Sequence, residues 1–148
     1  MKYRVITVGR RAKDPLVNAA DTYSTRLNHY ISTELIRLRD DTYEREHQMM
    51  LKHLKTNEIL IVLDERGRQY STTELANLLN HWQINYSNQN IAFVIGGANG
   101  LHEDIKKRAK EIWSLSRFTL PHRLALVVLL EQLYRAHTFL RGEPYHRE

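Results

Sequence analysis

Five apolar residues, Ile91-Ala92-Phe93-Val94-Ile95, run without interruption into Gly96-Gly97-Ala98-Asn99-Gly100. A short continuous apolar run closed by glycines describes a buried strand that ends in a tight bend. Strands of this kind belong to parallel sheets covered by helices, which steers the chain towards an α/β architecture. In such sheets ligands sit beyond the carboxyl ends of strands, where glycine lets main chain approach closely. A second bend follows at Leu115-Ser116-Arg117-Phe118-Thr119-Leu120-Pro121-His122. Two loop-forming strand ends so near each other suggest a cofactor pocket.

The rest of the chain alternates in the same way. Tyr3 to Val8 reads as a first strand ending at Gly9, and Pro15 to Tyr30 as a helix capped by Asp14. Thr33 to Leu38 reads as a strand and Glu44 to Leu54 as a helix. Ile59 to Leu63 is a central strand that ends at Asp64-Glu65-Arg66-Gly67. Ser71 with Glu74 three residues on forms a capping box for the next helix. A helix from about Glu103 to Ile112 precedes a fifth strand ending near Leu120, and a last helix follows Pro121 and stops before Gly142 and Pro144. The pattern predicts one domain, with a mostly parallel sheet and helices on both faces. At 148 residues the chain is long enough to close its own core.

In that last helix Leu124 to Leu130 is apolar around the full circumference. A helix lying on a sheet needs only one apolar stripe, so a homodimer interface or complete burial must account for the rest. The same run is far too short to span a bilayer, and the N-terminus lacks the pattern of a signal sequence, so a cytoplasmic protein is expected. The chain has no cysteine, which excludes disulfides and thiolate chemistry. The net charge of +5 lies entirely in residues 105–148, with nine Lys and Arg against four Asp and Glu. A cationic excess beside a cleft suits a polyanion such as nucleic acid, the alternative being a solvated helix face.

Familiar signatures are missing. The glycine cluster has neither the lysine of a P-loop nor the spacing of the dinucleotide fold. The eight histidines show no metal-ligand spacing, so no metal is expected, and His29, His47, His53 and His81 read as helix-surface residues. No nucleophile elbow is present. The end of the chain, Tyr145-His146-Arg147-Glu148, sets an aromatic ring, an imidazole and a guanidinium in a row. It reads either as a frayed tail or as a group able to stack on a base and pair with an anion.

Taken together, Val8-Gly9, Leu63-Asp64-Glu65-Arg66-Gly67, Val94 to Gly100, Trp113-Ser114-Leu115-Ser116, Thr119-Leu120-Pro121-His122, Glu131 to Ala136 and Tyr145 to Glu148 resemble the ribosomal large-subunit methyltransferase H family. These are small members of the SPOUT class, and the resemblance spans essentially the whole chain. Arg10 stands where lysine is common in that family.

The resemblance implies a SPOUT-type α/β knot, a C-terminal trefoil knot that pattern rules alone would exclude. It also implies a homodimer with no separate RNA-binding domain, and S-adenosylmethionine as methyl donor. By motif position, Leu63, Gly97, Ser116, Arg117, Phe118, Thr119, Leu120 and Pro121 would hold that cofactor, with Asp64 left as a turn residue. The implied substrate is N3 of pseudouridine 1915, in helix 69 of 23S ribosomal RNA within the assembled ribosome. On this reading Arg147 and Arg135 stabilise the developing imide anion, Tyr145 positions the base, and His146 orients the substrate or accepts a proton. A salt bridge to Glu131 is the competing role for Arg135, and a structural role is expected of His122. Methylation of transfer RNA, and RNA binding without catalysis, are the rival functions.

Overall fold

A computed structural model describes residues 1–9 and 12–147; Arg10, and Glu148 at the end of the tail motif, lie outside the described residues. Five strands, β1 (Tyr3–Val8), β2 (Thr33–Leu38), β3 (Ile59–Arg68), β4 (Ile91–Ile95) and β5 (Glu111–Trp113), form one sheet in the order β2-β1-β4-β3-β5. Every pairing is parallel. Five helices connect or follow them: α1 (Pro15–Asn28), α2 (Tyr43–His53), α3 (Thr72–Asn85), α4 (Glu103–Arg108) and α5 (His122–Leu140).

Strand alternation sends residues to two separate cores. Tyr3, Val5, Ile59, Ile61, Ile91 and Phe93 meet α1, α3 and α5 on one face. Ile6, Val8, Leu60, Val62, Ala92 and Val94 meet Met50 of α2 and Ile105 of α4 on the other. Period-two strands with both sets apolar can only be stable when helices cover both faces. Among the described residues no helix is long and apolar enough to cross a membrane.

Local signals set the helix starts. Asp14 accepts from the Leu16 N–H at 2.7 Å. The Ser71 hydroxyl accepts from Glu74 N–H at 3.1 Å, while the Glu74 carboxylate takes the Ser71 N–H at 2.9 Å. The expected boundaries fail at two places: β3 runs through Gly67 to Arg68 instead of ending at Asp64, and the fifth strand starts early. α4 stops at Arg108, and Glu111–Trp113 is already the fifth strand. That leaves residues 114–121 as a long bend rather than strand. Pairing decides this: Ile112 lies opposite Val62, and Trp113 opposite Leu63, a long-range choice that helical periodicity cannot anticipate.

Candidate active site

A cavity of about 790 Å³ opens beyond the carboxyl ends of β3 and β4, within the size range of small-molecule sites. Three segments wall it: residues 63–66, in the part of β3 where its pairing with β5 shifts register between Leu63 and Arg68, and two bends, 95–101 after β4 and 115–121 before α5. Of the residues expected to hold a cofactor, Leu63, Gly97, Ser116, Phe118, Thr119, Leu120 and Pro121 line it. Arg117 belongs to the same bend but is exposed and forms no part of the wall. Phe118 stands at the wall with 83% of its surface open.

Hydrogen bonds shape these segments and fix the last of them to the first. Ser114 Oγ donates to the Ser116 carbonyl at 2.8 Å, and Ser116 Oγ accepts from the Phe118 N–H at 2.9 Å. The Thr119 hydroxyl donates to the Glu65 carboxylate, which ties the bend before α5 to the end of β3. In the middle bend Gly100 adopts φ +75° and donates to the Gly97 carbonyl at 3.0 Å, a conformation that favours glycine. A Cβ on Gly97 would stand 3.0 Å from Val8 Cγ1. Close packing on β1 therefore explains that glycine, whatever space it leaves for a ligand.

Asp64, set aside on sequence grounds as a turn residue, lines the cavity. Its carboxylate accepts from the Arg66 N–H at 2.9 Å and pairs with Lys106 Nζ at 2.9 Å. Burial opposes its ionisation, but these two donors outweigh burial and hold the carboxyl below the ordinary aspartate value. Lys106 in turn is raised, chiefly by its bond to Asp64. Asp64 had a sequence signal in its place at a strand's carboxyl end; Lys106 had none, because only the fold brings α4 to β3. His122 also faces the cavity, and its Nε2 stands 2.8 Å from where a Gly9 Cβ would be.

The four residues expected to act on the substrate gather elsewhere. The Arg135 guanidinium bonds Glu131 through Nε at 2.8 Å and through NH2 at 2.6 Å. It lies over the Tyr145 ring at 4.7 Å and reaches His146 Nδ1 at 3.4 Å. Glu131 also accepts from the Tyr145 hydroxyl at 3.1 Å. Burial, reinforced by Glu131, raises the Tyr145 hydroxyl well above the ordinary phenol value, and the bond to Glu131 raises Arg135. Tyr145 packs edge-on to Tyr134 with centroids 4.8 Å apart, so the tail is docked on α5. Arg147 is exposed, and among the described residues no carboxylate pairs with it. None of the four lines the cavity. Arg135 sits about 20 Å along α5 from His122, at 1.5 Å per residue.

His47 departs from its expected surface position. It is buried and stacks on His102 with ring centroids 4.0 Å apart and planes within 19°. Ligand atoms of His47, His102 and Asp104 lie within 4.8 Å of one another. In nearly parallel rings the in-plane lone pairs run side by side rather than converging on one ion, so the arrangement is that of an aromatic stack.

A parallel α/β sheet with a cavity walled by the end of β3 and by the bends after β4 and before α5 defines a class of protein, and comparison with known structures agrees on the fold. The chain superposes on a Bordetella pertussis protein described as a methyltransferase with TM-score 0.59 and 13% identity, covering 92% of this chain and 94% of that one. A Legionella pneumophila methyltransferase structure with the bound cofactor SAM gives TM-score 0.51 at 12% identity, over 92% of this chain and 66% of that one. The family model described as "Predicted SPOUT methyltransferase" matches residues 1–146. Proteins named ribosomal RNA large subunit methyltransferase H are 40% identical in Anaeromyxobacter dehalogenans (99% of this chain, 100% of the relative) and 37% identical in Gloeobacter violaceus (99% of each). The chain belongs to the SPOUT methyltransferases, in the ribosomal RNA large subunit methyltransferase H family.

Proposed function

We propose that the protein methylates N3 of a pseudouridine in helix 69 of 23S ribosomal RNA within the assembled ribosome. It acts as a knotted, single-domain homodimer with S-adenosylmethionine as donor. The observation that carries the reading is the cavity itself. Leu63, Leu115, Leu120, Pro121 and Ala125 offer apolar walls for a purine, and Asp64 offers an ionised carboxylate for a cationic ligand. The residues present therefore fit the donor. When bound, it supplies an electrophilic methyl group on a sulfonium.

The chain's own residues must bring the base to that group and stabilise charge as the N3 proton leaves. Tail and cavity lie at opposite ends of α5, which favours assembly from two copies. Leu124, Val128, Glu131 and Arg135 share one face of α5 at i, i+4, i+7 and i+11, and both apolar members remain only half-buried in one chain. Two such helices pairing antiparallel about a two-fold axis would set each tail beside the other copy's cavity.

In that assembly Arg147, which no carboxylate among the described residues engages, is the group placed to stabilise the imide anion as an oxyanion hole does a carbonyl oxygen. Tyr145 supplies a flat face to the base, and His146 orients the substrate or takes its proton. Arg135, spanned between Glu131, His146 and Tyr145, positions the tail. The test is transfer of labelled methyl to unmodified ribosomes and to bulk transfer RNA. Label in N3-methylpseudouridine of ribosomal RNA is expected; label in transfer RNA alone, or cofactor binding without transfer, overturns the reading.

A further inference from the structure

Half of the chain's eight tyrosines sit where the ends of α1 and α5 meet the tail, and arginines cover their faces. Arg26 lies over Tyr23 at 5.3 Å and over Tyr134 at 5.8 Å. Arg141 lies over Tyr30 at 4.6 Å. Tyr134 contacts Tyr23, Tyr30 and Tyr145, so the rings form one continuous cluster.

The carboxylates nearby are already engaged. Glu131 holds Arg135, and Glu143 accepts the Tyr30 hydroxyl. Among the described residues neither Arg26 nor Arg141 pairs with a carboxylate, and both are exposed. A guanidinium lying over an aromatic face is attracted and restrained there while keeping a planar edge of N–H donors. That edge is the geometry that grips a phosphate through two parallel hydrogen bonds. Stacking also restrains the side chain before any ligand arrives, so less freedom is lost on binding.

We infer that Arg26 and Arg141, braced on Tyr23, Tyr134 and Tyr30, form a phosphate-binding strip for the RNA backbone flanking the nucleotide that the tail receives. The inference rests on the reading of the tail as the place where the base is met. It assigns the register of the strand to α1 and the end of α5, a surface that sequence charge alone did not single out.

The test compares the full-length protein with R26A/R141A and R26K/R141K in equilibrium binding to unmethylated large ribosomal subunits between 50 and 200 mM salt, a range in which phosphate contacts dominate affinity. The alanine pair is expected to bind about tenfold more weakly and to lower the salt slope by about two. Its loss should fall in KM for the subunit rather than in kcat, with cofactor affinity unchanged. The lysine pair should keep the salt slope but recover only part of the affinity, because a point charge lacks the planar fork. A wild-type slope and affinity in the alanine pair overturns the strip. So does weakened binding to whole subunits with full affinity for protein-free ribosomal RNA, which would point to a ribosomal protein. Binding needs no turnover, so failure of the catalytic reading would show separately, as wild-type protein that binds subunits and cofactor but transfers no methyl.

Discussion

The Arg135 guanidinium lies 4.7 Å above the ring of Tyr145 while bonding Glu131 one turn earlier on α5. This contact converts a C-terminal segment that could have frayed into a docked element. It also separates two arginines that look equivalent in sequence, since Arg135 is committed to the protein and Arg147 is not.

Removing Tyr145 to Glu148, or replacing Arg147 by alanine, is expected to cut methyl transfer by about a hundredfold or more. Cofactor affinity should stay within a few-fold, because none of the described tail residues, Tyr145 to Arg147, lines the cavity. Single-turnover transfer and calorimetric binding of the donor check both halves; normal transfer by the truncated protein would remove the tail from the mechanism.

Charges placed on the half-buried face of α5, as in L124D/V128D, should yield a monomer by analytical ultracentrifugation and lower transfer at least about a hundredfold. Full activity in a monomeric variant would show that one chain carries a complete site.

Gly97→Ala sets a methyl group 3.0 Å from Val8 Cγ1. Overpacking of this kind costs about 1–3 kcal/mol, and displacement of the bend should weaken donor binding. Val8→Gly in the same chain removes both this atom and the Val8 Cβ that lies 3.1 Å away, so the double variant should recover affinity relative to Gly97→Ala. No recovery would mean that the glycine matters for the ligand's own space rather than for packing.

His137 accepts or donates to the Tyr3 hydroxyl at 2.9 Å inside the core, and burial pushes its pKa down to about 4. The unfolded chain takes up this proton near pH 6.5, so the unfolded state binds more protons as pH falls below that value. The stability tied to neutral His137 is whole above pH 6.5 and is lost progressively down to about pH 4, by up to about 3 kcal/mol. Urea unfolding of His137→Gln should show a flatter pH dependence over that window. An identical profile would place the acid sensitivity in the carboxylates instead.

The sequence by itself determined the architecture and the location of the cavity. Apolar runs at Ile59 and Ile91 demand cover on both faces, and Gly96, Gly97 and Gly100 after β4 and Pro121 before α5 interrupt the regular backbone, so those two bends had to fall where they do; β3 instead runs on through Gly67. Cap residues at Asp14 and Ser71 act within three residues and were equally legible. Tertiary structure decided what depends on distant partners: that Ile112 joins β3 rather than α4, that Lys106 holds Asp64 in the cavity wall, and that His47 leaves the surface to stack on His102. It also decided that the tail lies on α5 about 20 Å from the cavity. Helical and strand periods report which way a side chain faces, but not which remote segment it faces, and pairing across the chain is settled only when the whole core closes.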